Sequence, residues 1–243
     1  MHDTESLLTH VRHDVRCVLE RDPAARSAIE VALLYPGLHA LWTHRIAHAM
    51  WHRPALRFWA RGLSQFARFW TQIEIHPGAQ IGKGVFIDHG SGVVIGETAI
   101  VGDDVTIYQG VTLGGTSLEQ VKRHPTIGSR VIIGSGAKVL GNIEIGDDSR
   151  IGANAVVTKS VPDHSVVVGV PGQVIRIAGQ DIAARGSGGS VPDPVGNAVH
   201  ELLARVAQLE THITGLQTEH HTHAASDGTD WRIDDDSFID FVI

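Results

Sequence analysis

The chain has 243 residues, 42% hydrophobic and 19% charged, with 27 glycines, 5% aromatics and a formal net charge of −7. The apolar fraction suffices for one medium core with appendages, and the acidic balance argues against a binder of nucleic-acid phosphates. A single cysteine, Cys17, excludes an internal disulfide framework and any multi-cysteine metal site.

The N-terminus, MHDTESLLTHVRHDVR, mixes both charge signs around no long apolar core. It does not read as a secretory signal. No run approaches the roughly 18 apolar residues of a membrane span, so a soluble cytoplasmic protein is expected. Residues 4–70 read as helical, defining an N-terminal helical domain over 1–70. Leu7, Leu8, Val11, Val15, Val18 and Leu19 share one helical face. Asp22-Pro23 has the chemistry of an N-cap followed by N1. Pro36-Gly37 ends that helix, another runs through HALWTHRIAHAMW, and Pro54 opens a last one ending near Trp70. This block is expected to cover the first coil of the repeat domain C-terminal to it.

From residue 75 an aliphatic residue recurs every six positions: Ile75, Ile81 and Ile87, then, after a two-residue slip, Ile95, Val101, Ile107 and Leu113. After a longer gap come Ile127, Ile133, Val139, Ile145, Ile151 and Val157. Many are followed by glycine, and a small or branched residue stands four places on. A period of six suits neither an amphipathic helix nor a plain strand. It suits a solenoid of short strands and turns, three hexapeptides to a triangular coil, with each aliphatic stacked on its counterpart about 4.8 Å along the axis. This domain is expected over 71–178. Two phase breaks, DHGSGVV at 88–94 and GGTSLEQVKRHPT at 114–126, should leave the wall as loops, and each carries a histidine.

Residues 179–194 read as linker. Val195, Val199, Leu202, Val206, Leu209, Ile213 and Leu216 then alternate at spacings of four and three. This predicts a coiled-coil helix over 195–220, with Val199, Val206 and Ile213 at a and Leu202, Leu209 and Leu216 at d. Peptide rules favour two strands for that composition, whereas a three-fold body would impose three. An acidic tail, 221–243, ends in the apolar FVI.

An imidazole has an unperturbed pKa near 6.5, suited to general-base work at neutral pH. His89, in the first break, can leave the stacked wall, and Glu74 or Asp88 could hold its other ring nitrogen. His76 precedes Pro77 and is read as structural. A histidine pair five residues apart on one face of the solenoid would suggest a metal site, but the fifth residue after His124 is Ser129 and after His89 is Val94. No metal is expected.

The segments IEIHPGAQIGKG, FIDHGSGVVIGETA, VTLGGT, KRHPTIG, GAKVLGNIEIG and VVGVPG, with RDPA and LLYPGLHALWTHRIAH before them, resemble serine O-acetyltransferases over roughly residues 15–178. The resemblance implies a left-handed parallel β-helix behind an N-terminal α-helical domain, assembled as a homotrimer or a dimer of trimers. It implies acetyl transfer from acetyl-CoA to the L-serine hydroxyl, in cysteine biosynthesis. It assigns His89 as base and, through the (D/E)IHP motif, Glu74 as its orienter, a place where aspartate is the more usual acid. Arg123 and His124 would take the carboxylate and hydroxyl end of serine, and Asp22 and Asp88 its ammonium group; an N-cap role for Asp22 alone is also open. Gly115, Thr116, Ser135 and Ala153 would line acetyl-CoA in a groove between neighbouring solenoids. The terminal Ile243 resembles the tail by which this family enters the active site of O-acetylserine sulfhydrylase. The heptad segment departs from the family pattern. Two other functions compete: a hexapeptide O-acetyltransferase for a sugar or homoserine, for which a sugar would not require Arg123, and a non-catalytic scaffold for the sulfhydrylase.

Overall fold

The structure, a computed structural model, describes residues 7–181 and 201–213. The chain divides into two compact units, residues 1–190 and 191–243.

In the first unit, α1 (Leu7–Arg21), α2 (Ala28–Leu34), α3 (Pro36–Trp51), a 3-10 turn (Pro54–Leu56) and α4 (Arg57–Thr71) precede the solenoid. The second helix starts later than expected. Asp22 caps no helix; its carboxylate accepts the Ala24 N–H at 2.8 Å and shapes a turn. Ser27 is the N-cap, its hydroxyl accepting the Glu30 N–H at 3.2 Å. The Glu30 carboxylate reaches back to the Arg26 N–H at 3.3 Å, a close relative of the reciprocal capping box. Pro36 opens α3 at its first turn, where a missing N–H costs nothing.

The helical block lies on the first coil, as its sequence suggests. On α4 the buried stripe is small (Ala60, Ser64, Ala67, Thr71), which lets its backbone come close, and Ser64 donates to the Ile75 carbonyl at 2.8 Å. A Cβ on Gly37 would lie 2.2 Å from the Ile87 carbonyl oxygen, so α3 meets the coil at a point only glycine allows. Asp14, 1% exposed, ties α1 to α3 by an ion pair to Arg45 at 2.9 Å and by accepting the Trp42 indole N–H at 3.2 Å.

Beyond α4 the chain winds through three parallel sheets that form the faces of a prism. The first face stacks β1 (Glu74–Ile75), β4 (Val94–Ile95), β7 (Thr112–Gly114), β10 (Lys138–Leu140) and β13 (Val156–Val157). The second stacks β2 (Gln80–Ile81), β5 (Ile100–Val101), β8 (Thr126–Ile127) and β11 (Glu144–Ile145). The third stacks β3 (Phe86–Ile87), β6 (Thr106–Ile107), β9 (Ile132–Ile133), β12 (Arg150–Ile151) and β14 (Ser165–Val168). The six-residue beat is the register itself: Ile75 pairs with Ile95, Ile95 with Leu113, Leu113 with Val139 and Val139 with Val157. Every in-phase aliphatic is buried except Ile81, which is partly buried against the same core.

The C-terminal end differs from the expected boundary. β15 (Gln173–Ile177) folds back antiparallel on β14 and β16 (Gln180–Asp181) antiparallel on β15, so strand runs past residue 178 into the segment read as linker. In the second unit residues 201–213 are helical and exposed throughout. The rest of the expected linker, the flanks 195–200 and 214–220 of the expected coiled coil, and the tail with Ile243 lie outside the described residues. Among the described residues no helix is long and apolar enough to cross a membrane.

Candidate active site

The two phase breaks emerge at different edges of the prism. DHGSGVV leaves β3 on the third face and enters β4 on the first; this is edge I. GGTSLEQVKRHPT leaves β7 on the first face and enters β8 on the second; this is edge II.

At edge I the turn is tight. The Gly90 N–H donates to the Asp88 carbonyl at 2.7 Å and the Ser91 N–H to the His89 carbonyl at 2.6 Å. His89 is left-handed, φ 57°, as are Asn154 further along this edge and Asp104, Arg130 and Asp148 at another corner. The conformation therefore belongs to the solenoid turn. His89 is well exposed: its side chain is 76% accessible, with Nε2 3.8 Å from Oδ1 of Asp88, beyond hydrogen-bond length. Glu74 stands at the same edge, its N–H donating to the Val93 carbonyl at 2.8 Å. Its carboxylate pairs with Arg68 at 3.3 Å, and among the described residues no hydrogen bond joins it to His89.

Asp22 joins this edge from the helical block. Tyr35, at the N-cap of α3, donates its hydroxyl to Oδ2 of Asp22 at 2.6 Å. That bond, then the Ala24 N–H, holds the Asp22 carboxyl below its usual range despite some desolvation, and the field of His89 adds to the effect. The same contact, with burial and the fields of Asp22, Glu30 and Asp88, pushes the Tyr35 phenol up to about 12. Asp22, Tyr35, Asp88 and His89 thus form one electrostatic group. Tyr35 went unnoticed in the sequence, although it stands in the LLYPG segment.

Gln72 fastens the turn from below. It is the left-handed C-cap of α4, φ 61°. Its backbone carbonyl accepts the Gly92 N–H at 3.0 Å, and its side-chain oxygen accepts the Ser91 hydroxyl at 2.5 Å. A cleft beside it is lined by Arg68, Phe69, Gln72, Glu74, Ser91 and Val94, among others.

Edge II carries a second group. The Arg123 guanidinium donates to the Glu97 carboxylate at 2.5 Å. Thr98 organises the rest. Its hydroxyl oxygen accepts the Arg123 and His124 N–H groups at 3.0 and 3.1 Å, and its own N–H donates to Nδ1 of His124 at 3.2 Å. With Nδ1 an acceptor, the neutral ring carries its proton on Nε2. Burial, then the charges of Arg123 and Lys122, lowers the His124 pKa, opposed by Glu97. The ring packs against Gly96, where a Cβ would sit 2.0 Å from Nε2. This group can therefore offer a neutral Nε2–H donor beside a guanidinium. His76 borders this group, within the fields of Glu97, Arg123 and His124: its Nδ1 accepts the Gly78 N–H at 2.9 Å, its ring stands edge-on to Trp51, and burial, then the charge of Arg61, lowers its pKa to about 4.

The residues expected at acetyl-CoA divide between the edges. Ser135 and Ala153 follow β9 and β12 on edge I, in line with the His89 turn. Successive corners there are joined by Gly110 N–H to Ser91 O, Gly136 N–H to Gln109 O and Asn154 N–H to Ser135 O, at 2.8–2.9 Å. Gly115 and Thr116 are exposed on edge II, the Thr116 hydroxyl beside Gly141. A single chain thus unites His89 with Asp22, Asp88 and Glu74, and Arg123 with His124, but leaves the two sets at separate corners. Among the described residues no group of three or more His, Cys, Asp or Glu side chains is placed to hold a metal.

A hexapeptide prism with an exposed histidine on one edge and an Arg–His pair on the next defines the class of hexapeptide-repeat acyltransferases. The family described as bacterial transferase hexapeptide (six repeats) matches residues 124–159, and the N-terminal family of serine acetyltransferases matches residues 1–43. The serine acetyltransferase of Mycobacterium tuberculosis is 60% identical over 206 residues, covering 84% of this chain and 88% of that protein. Two solved structures align with a TM-score of 0.67. The Neisseria gonorrhoeae serine acetyltransferase in complex with serine is 40% identical over 70% of this chain and 69% of its own. The Brucella abortus enzyme in complex with coenzyme A is 44% identical over 69% and 67%. The chain belongs to the serine acetyltransferase family.

Proposed function

We propose that the chain catalyses acetyl-CoA + L-serine → O-acetyl-L-serine + CoA, supplying cysteine biosynthesis, at a site completed by two copies of the chain. The serine Oγ–H bond breaks as oxygen attacks the thioester carbonyl, the proton passes to His89, and the CoA thiolate leaves and is protonated. The observation that carries this reading is the division of the functional set between two edges of one prism. His89, Asp22, Asp88, Ser135 and Ala153 on edge I of one protomer would face Arg123, His124, Gly115 and Thr116 on edge II of a neighbour, across a groove in a trimer of left-handed β-helices.

His89 acts as general base in this reading, and its exposure suits a group that must meet substrate. Glu74 orients it on leaving Arg68, or Asp88, 3.8 Å away, does so in its place. Arg123 and the Nε2–H of His124 take the serine carboxylate and hydroxyl, and Asp22 with Asp88 the ammonium. A guanidinium opposite carboxylates fits a zwitterion, and no observation favours a sugar or homoserine acceptor or a scaffold without catalysis.

Release of free thiol from acetyl-CoA in the presence of L-serine tests the reaction. His89→Ala should lower turnover by about 10²–10⁴-fold, and turnover near wild type removes His89 from the mechanism. Glu74→Gln against Asp88→Asn separates the two orienters, since only the true one should share the kcat loss. We further propose a cytoplasmic enzyme that engages O-acetylserine sulfhydrylase through Ile243. Removing Ile243 should abolish that binding and spare acetyl transfer, and unchanged binding would refute the tail.

A further inference from the structure

We propose that the C-terminal helix is one strand of a parallel, in-register coiled coil formed with the same segment of other copies of this chain. The helix spans residues 201–213, and all of them are exposed. Leu202, Leu203, Val206, Leu209 and Ile213 stand 49–62% accessible. Isolated helices shorter than about 12–15 residues are marginal in water even with favourable sequences. This one places its largest side chains on a single stripe and buries none of them. The sequence continues the same alternation at Val199 and Leu216, which is the spacing of a supercoiled seam.

The charges say which partner and which direction. With Val206 and Ile213 at a and Leu202 and Leu209 at d, Arg205 and His212 fall at g and Glu210 at e. In a parallel pair each g residue meets the e residue five places on in the other strand, so Arg205 meets Glu210 of the next copy. In an antiparallel pair g meets g, which sets Arg205 and His212 against each other. The seam is thus self-complementary in the parallel sense alone. Leu203 at e widens the apolar stripe on the side where strands flank one another. A partner of different sequence is not required by any part of this pattern.

Disulfide trapping in the full-length protein tests the register. The only native thiol, Cys17, is 5% exposed and donates to the Gly84 carbonyl, so it contributes little background. Leu209→Cys, at d, should form a covalent dimer under mild oxidation at least several-fold faster than Thr211→Cys, on the outer f position. Adding Arg205→Glu should slow trapping, and Arg205→Glu with Glu210→Arg should restore it. Acetyl transfer should be unchanged in every variant, confirming a folded body. Trapping of Leu209→Cys no faster than Thr211→Cys overturns the proposal and gives the stripe to another protein or to this chain's own body. A charge reversal without effect overturns the parallel register.

Discussion

The Tyr35 hydroxyl and the Ala24 N–H grip opposite oxygens of Asp22, at 2.6 and 2.8 Å. An aspartate whose sequence neighbours suggest a helix cap is thereby turned into a fixed anion at the edge that carries His89. Both donors stabilise the charged form, so the carboxylate persists below its usual titration range. Tyr35→Phe removes one donor and keeps the ring. If Asp22 binds the serine ammonium, the KM for serine should rise by about tenfold, the worth of one charge-assisted hydrogen bond. The acetyl-CoA KM should stay unchanged. A serine KM identical to wild type would remove Tyr35 from the site.

Gln72 and Ser91 make a second, separable prediction. The two-residue slip that exposes His89 is tied down by Gln72 through main chain and side chain. Ser91→Ala should lower kcat by about tenfold or more, since small displacements of a reacting group are costly. The KM for acetyl-CoA should hold. Ser91→Thr keeps the hydroxyl and should keep most of the rate. Equal losses in the two variants would point to packing instead of the hydrogen bond.

The division of the site between edges I and II predicts complementation. His89→Ala and Arg123→Ala homo-oligomers should each be nearly inactive. Unfolding and refolding them together should regenerate activity, because a mixed assembly contains grooves in which both edges are wild type. Refolding either alone should not. A mixture no more active than its components would show that one chain holds the whole site.

Much of this was legible in the sequence, for a definite reason. A solenoid's core is set by period, and period survives in one sequence, so each in-phase aliphatic from Ile75 to Val157 lies on the wall its phase assigned. The phase breaks likewise located His89 and the Arg123–His124 pair. Counting hexapeptides by threes would also have placed these breaks on different edges, since the first follows a third-face strand and the second a first-face strand. Tyr35, Gln72 and Thr98 were not foreseen, because each acts through a contact that no period encodes. Tyr35 reaches across a turn, Gln72 works through a left-handed backbone, and Thr98 reaches a residue twenty-six positions on. Glu97 stood in the GETA segment, but its pairing with Arg123 depends on how far the second loop folds back. α2 starts beyond Asp22-Pro23 because the Ser27 hydroxyl caps the Glu30 N–H and the Glu30 carboxylate accepts the Arg26 N–H, leaving Asp22 for another use.

Two buried imidazoles set the expected acid sensitivity of the fold. His44, inside α3, has its pKa lowered to about 3, chiefly by burial and then by the charges of His48 and Arg45; His76 is lowered to about 4, again chiefly by burial. Both are neutral in the folded state and take up a proton near pH 6.5 once unfolded. Below that value the unfolded chain binds more protons, so stability falls as pH drops from about 6.5 toward 4. The limiting slope is about 1.4 kcal/mol per pH unit for each group. Denaturant unfolding at a series of pH values across this window should resolve that slope. His44→Gln keeps a polar side chain but cannot titrate, so it should flatten the slope by up to one proton's worth, whatever it does to stability at pH 7. A slope identical to wild type would mean that His44 is protonated in the native protein, and that the ring is not sealed from water as the packing of α3 on the first coil implies.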